Sequence, residues 1–193
     1  MIKKSLLGIL WISAFLTMPC MAQSFDATFD PTAAYVNGEQ DLQTAYYGSF
    51  DGNVAAIYQQ QTAEFGSPNN GDSNVALIEQ IDSEASIAQV WQVGMGNQAT
   101  VYQTTGANNI VRLAQVGLDH VATIRQEGSA NFAAALMQGT GAYLQVTQTG
   151  DSNYLNAVLN TGSQLRINQE GIGNMFSVTL AAGATANISQ IRP

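Results

Sequence analysis

A short phrase recurs along this chain: a polar residue, alternating small or aliphatic positions, and a Gln six places on. It reads NVAAIYQ from Asn53, NVALIEQ from Asn74, SIAQVWQ from Ser86, NQATVYQ from Asn97, NIVRLAQ from Asn109 and HVATIRQ from His120. It continues less regularly as NFAAALM from Asn131, AYLQVTQ from Ala142, NYLNAVL from Asn153, SQLRINQ from Ser163, NMFSVTL from Asn174 and ATANISQ from Ala184. From Asn74 onward the starts lie 10 to 12 residues apart, and most links between phrases hold a glycine. That leaves no room for ordinary helices, which need about 10 or more uninterrupted residues. Alternation at period two argues for strands. Glycine supplies the positive φ of a tight reversal, so Gly94, Gly117, Gly128, Gly150 and Gly171 are the candidate turn residues.

Two strands and two links make a unit of about 22 residues. Units of that length stack, so the expected fold is all-β: a β-solenoid in which each strand pairs with its equivalent one coil along, at about 4.8 Å. One sheet should hold the phrases starting at residues 74, 97, 120, 142, 163 and 184, and the other those at 86, 109, 131, 153 and 174. Asn53 to Gln59 fits the first of these sheets, with a partner near residue 63 broken by Gly66 and Pro68. Residues 53–73 therefore read as a degenerate first repeat with a loop, and residues 74–193 as the solenoid.

The third and fifth residues of each phrase are mostly apolar, as in Ala99 and Val101 or Leu165 and Ile167. Their face must be the core, which turns the first and seventh residues inward as well. A buried amide needs partners, and stacking offers the equivalent amide above and below. One ladder is expected through Gln80, Gln103, Gln126, Gln148, Gln169 and Gln190. Beside it runs a second through Ser86, Asn109, Asn131, Asn153 and Asn174. The opposite edge of the core carries a partial ladder, Gln92 with Asn97 and Gln115 with His120. It then turns apolar at Met137 with Ala142, Leu159 with Ser163, and Leu180 with Ala184. His120 is the only histidine. It could serve as a metal ligand or a base, but no Cys or paired acid accompanies it, and a place in the ladder accounts for it. These residues are structural; no catalytic, metal or cofactor site is expected.

Lys3 and Lys4, the apolar run Leu6 to Met18 and the small Ala22 read as a cleaved secretory signal over residues 1–22. Without it, four arginines face 14 acids, a net charge of −10. So acidic a chain is poorly suited to nucleic acid or to an anionic membrane surface. Ten acids and no base lie between Asp26 and Glu84, so residues 23–52 read as an acidic export or targeting segment. No cap follows the last phrase, and open strand edges with amide ladders predict head-to-tail polymerisation.

The units resemble the curlin repeat, Ser-x5-Gln-x-Gly-x2-Asn-x-Ala-x3-Gln. Ser86, Gln92, Gly94, Asn97, Ala99 and Gln103 match every named position. Asn109, Gln115, Gly117, His120, Ala122 and Gln126 match with two polar exchanges, and the resemblance runs over about residues 70 to 190. It implies a subunit of extracellular curli amyloid fibres in a bacterial biofilm matrix, active in adhesion. Such subunits are secreted through an outer-membrane pore with accessory or chaperone proteins. Partners would be the chain itself and other curlin subunits. Met137, Leu159 and Leu180 interrupt the ladders, Leu155 and Phe176 replace Ala, and the leader lacks a Gly-rich run. These departures lean towards the minor, fibre-nucleating subunit over the major one. The rival class is a monomeric ligand- or ice-binding β-solenoid, which would want a regular outward array that this sequence lacks.

Overall fold

The computed structural model describes residues 42–50, 52–61 and 74–193. The expected signal, most of the acidic leader and the loop at residues 62–73 lie outside the described residues. Thirteen strands are described, all within the compact unit Pro31–Pro193. They are β1 (Leu42–Phe50), β2 (Asn53–Gln61), β3 (Val75–Glu84), β4 (Ile87–Met95), β5 (Gln98–Ala107), β6 (Ile110–Leu118) and β7 (Val121–Glu127). Then come β8 (Phe132–Thr140), β9 (Tyr143–Thr149), β10 (Tyr154–Leu159), β11 (Gln164–Glu170), β12 (Met175–Leu180) and β13 (Thr185–Ile191).

The strands form two sheets. One has seven strands in the order β1-β2-β4-β6-β8-β10-β12, and the other has six in the order β13-β11-β9-β7-β5-β3. Successive strands alternate between sheets from β2 onward, and each pairs in parallel with the strand one coil away. The chain is therefore a β-solenoid. Its register stacks like on like: Ala99 on Ala122, Val101 on Ile124 and Gln103 on Gln126. Slipping this register by one residue would turn the whole apolar set outward.

The core lies between the sheets. Val101, Val111, Leu113, Ile124, Leu144, Val146, Leu155 and Leu165 are fully buried. Alternate residues point outward, where Tyr58 packs on Trp91, Phe132 stacks on Tyr154, and the Arg166 guanidinium lies over the Tyr143 ring.

Two details differ from the sequence reading. The phrase at Asn53 belongs to the second sheet, with Ile57 beside Val90 and Gln59 beside Gln92. β2 and β3 therefore lie in different sheets. Gly94 and Gly117 lie within the last residues of β4 and β6, while Gly128, Gly150 and Gly171 sit in the links. Gly94 and Gly117 have φ of 118° and 131°, and a Cβ on Gly117 would run into the Gly139 carbonyl oxygen. Stacked backbones approach too closely there for any side chain.

Candidate functional site: amide ladders and solenoid ends

The phrase ends place a Gln at the same corner of every coil in the six-stranded sheet. Gln80 Nε2 donates to Gln103 Oε1 at 2.8 Å, Gln103 to Gln126 at 2.9 Å, and Gln126 to Gln148 at 2.8 Å. Gln148 donates to Gln169 and Gln169 to Gln190, each at 2.8 Å. The second hydrogen of each Nε2 is also used. Gln103 gives it to the Ile87 carbonyl, Gln126 to that of Ile110, Gln148 to that of Phe132 and Gln169 to that of Tyr154. Each Gln thus ties its own sheet to the facing one, and its desolvation is compensated.

The neighbouring ladder runs through the seven-stranded sheet. Asn131, Asn153 and Asn174 each donate both backbone N–H and Nδ2–H to the Oδ1 of the Asn one coil earlier, at 2.9–3.2 Å. Asn109 N–H donates to Ser86 Oγ, and Ser86 N–H to Asn53 Oδ1. Asn53 therefore begins this ladder, a placement the sequence reading missed by putting it in the other sheet.

The opposite corner begins in the same way. Gln59 Nε2 donates to Gln92 Oε1 and Gln92 to Gln115, while Asn97 donates to Asn74 Oδ1. Gln115 Nε2 then reaches Met137 Sδ at 3.7 Å, the last acceptor of that column. His120 replaces an Asn: its N–H donates to Asn97 Oδ1, and its Nδ1 accepts the Ala142 N–H at 3.1 Å. Nδ1 must therefore be unprotonated, which leaves Nε2–H to donate to the Val116 carbonyl at 3.3 Å. Burial holds the His120 pKa below 6.5, against opposing contributions from the Val116 carbonyl, the Asp119 charge and the Gly139 carbonyl.

Ala142 has no side-chain acceptor to offer Ser163, the buried Ser163 Oγ makes no hydrogen bond, and the link changes. Ser163 N–H donates to the Asn160 carbonyl and Ala184 N–H to the Ala181 carbonyl, each three residues back. The turn satisfies internally the donor that the ladder satisfies elsewhere. Asn160 also joins this corner, donating to the Leu180 carbonyl at 2.7 Å and accepting from Gln138 at 3.3 Å. The sequence signal for this change was the shortening of the spacing to 10 at Ser163 and Ala184.

The ends are chemically directional. The Gln column points donors towards the C-terminal end, where Gln190 Nε2 retains only a 3.3 Å bond to the Met175 carbonyl. The Asn column points acceptors that way, ending in Asn174 Oδ1. Among the described residues, the core is only partly covered in the end coils. The partly buried apolar residues packed against it are Ile57, Ala76, Ile78, Phe176, Val178, Ala184, Ala186 and Ile188, all in or beside β2, β3, β12 and β13. Among the described residues no three His, Cys, Asp or Glu side chains gather as metal ligands.

A β-solenoid with stacked internal amides is the class this geometry defines. Residues 122–150, from β7 to just past β9, match the family model of the curlin associated repeat. That stretch of the chain is similar to the curlin repeat. No curated protein and no solved structure gives a significant match.

Proposed function

We propose that the chain is a structural subunit of extracellular curli-type amyloid fibres, adding end to end with other copies and with other curlin subunits. The observation that carries this reading is the partly covered core of the end coils among the described residues. Every partly buried apolar residue of the cluster lies in an end coil. Continuing the register across a junction would set Val178 on Ile57, Ile188 on Ile78 and Gln190 on Gln80 of the next copy. Each would then be as buried as its equivalents inside the solenoid.

The ends match each other at one corner only. Asn174 and Gln190 meet Asn53 and Gln80 of a second copy, but Leu180 and Ala184 meet Gln59 and Asn74. A buried amide without a partner costs about 1–3 kcal/mol. A neighbour with amides at both corners of its last coil would avoid that cost at the N-terminal end. This asymmetry favours the minor, nucleating role over the major one. The signal-like residues 1–22 and the acidic leader support secretion to the cell surface through an outer-membrane pore with accessory proteins, and a role in biofilm and adhesion.

The test is a thioflavin time course with fibre diffraction on residues 23–193, the chain expected after signal cleavage. Seeding of a major curlin subunit is measured alongside. Fibres with a repeat near 4.8 Å are expected, and strong seeding at low ratios would support nucleation. A folded monomer that persists for days would overturn the fibre reading and restore the binding-solenoid one.

A further inference from the structure

Strand β1 breaks the rule that every other described strand obeys. It pairs antiparallel with β2, from Leu42 opposite Gln61 to Phe50 opposite Asn53, whereas all the other pairings are parallel. Local chemistry explains its presence. Asp51-Gly52 connects the two strands, with Gly52 at φ 78°, and Asp-Gly is among the strongest signals for a two-residue hairpin. The hairpin adds a strand to one sheet only. In the facing sheet no described strand pairs beyond β3.

That imbalance matters for end-to-end addition. A second copy presents two edges together, β12 in one sheet and β13 in the other. Continuing the coil, β13 would pair with β3 and β12 with β2. The edge of β2 that β12 needs is the one that β1 occupies. With β1 in place the two sheets are out of step by one strand spacing, about 4.8 Å, so both edges cannot seat at once.

We propose that β1 is a removable cap on the N-terminal end of the solenoid, holding the place of strand β12 from a second copy. It rests on the end-to-end reading above and adds its regulation: every junction requires β1 to leave β2. A covered edge also keeps the free chain from pairing indiscriminately. The C-terminal end has no such cover among the described residues, so each copy is a ready donor of edges and a gated acceptor.

The gate can be locked. Tyr47 and Ala56 are directly opposed, and opposed antiparallel residues lie about 4.5–5.5 Å apart at Cα, within disulfide reach. Residues 23–193 contain no native cysteine. The experiment is seeded fibre growth of this chain carrying Tyr47→Cys and Ala56→Cys, oxidised and then reduced. The oxidised protein should show no sustained elongation, and reduction should restore the wild-type rate. Equal elongation in both states would overturn the cap while leaving the fibre reading intact. If the wild type itself forms no fibres, the fibre reading falls and the cap with it. Tyr46→Pro, opposite Ile57 on the side of β2 that faces β1, removes a ladder donor from β1 without a new covalent bond and provides the second arm. It should shorten the lag, and an unchanged lag would overturn the proposal.

Discussion

Removing the amide of Gln126 should cost far more in the isolated chain than removing that of Gln190. Gln126 accepts from Gln103 Nε2 at 2.9 Å and donates to Gln148 Oε1 at 2.8 Å and to the Ile110 carbonyl at 3.1 Å. In Gln126→Ala the Gln103 donor and the Gln148 acceptor both lose a partner, and both side chains are fully buried. At about 1–3 kcal/mol for each orphaned group, the loss is about 2–6 kcal/mol before any cavity is counted. Gln190 accepts one bond from Gln169 at 2.8 Å and gives one of 3.3 Å, at an exposed end where water can substitute. Gln190→Ala should therefore cost at most about 1.5 kcal/mol. Gln126→Met should fall between wild type and Ala, because a sulfur can accept as Met137 does beneath Gln115 but cannot donate onward. Guanidinium unfolding followed by far-ultraviolet circular dichroism, before assembly, gives the three values. In fibres, resistance of the Gln190 and Gln126 variants to guanidinium should converge, since Gln190 becomes interior. Equal costs before assembly, or a Gln126→Ala cost under about 1 kcal/mol, would refute the ladder argument.

Three further outcomes are expected. His120 binds fewer protons folded than unfolded below its ordinary pKa of 6.5, so its contribution is complete above that pH and is lost as pH falls from 6.5 towards the lower folded pKa. His120→Asn, which keeps an acceptor for the Ala142 N–H, should flatten stability between neutral and mildly acid pH in a denaturation series. Gly117→Ala should destabilise by more than about 1 kcal/mol in the same assay, given its positive φ and the Gly139 carbonyl in the path of a Cβ. Arg125→Ala should change stability by less than about 0.5 kcal/mol, because its 3.4 Å pair with Glu127 is about half exposed.

The solenoid was legible because two independent signals agree. The glycine-bearing breaks limit element length, and the inward amides demand a partner that only stacking supplies. The placement of Asn53 failed for a definite reason. Its 21-residue distance to Asn74 resembles one full coil, but β2 and β3 lie in different sheets, and spacing alone does not reveal which sheet follows. Strand β1 was hidden by the acidic composition around it, although Asp51-Gly52 carries a hairpin signal. The tightened turns at Ser163 and Ala184 were visible as shorter spacing. Their meaning, a backbone donor satisfied within the turn and not by the ladder, needed the hydrogen bonds. Asn160 sits in a link outside the repeating phrase, so no periodic argument could reach it.

The most direct test of the account asks whether the register inside the chain continues between chains. Continuing it sets Asn187 of β13 against Leu77 of β3 in the next copy, both on outward positions. Residues so paired across adjacent strands lie within disulfide reach. Two versions of residues 23–193, one with Asn187→Cys and one with Leu77→Cys, are assembled together and mildly oxidised. The account predicts that the mixed disulfide predominates in the fibres. Fibres that form without it, or that cross-link mainly between like variants, would contradict end-to-end continuation of the solenoid.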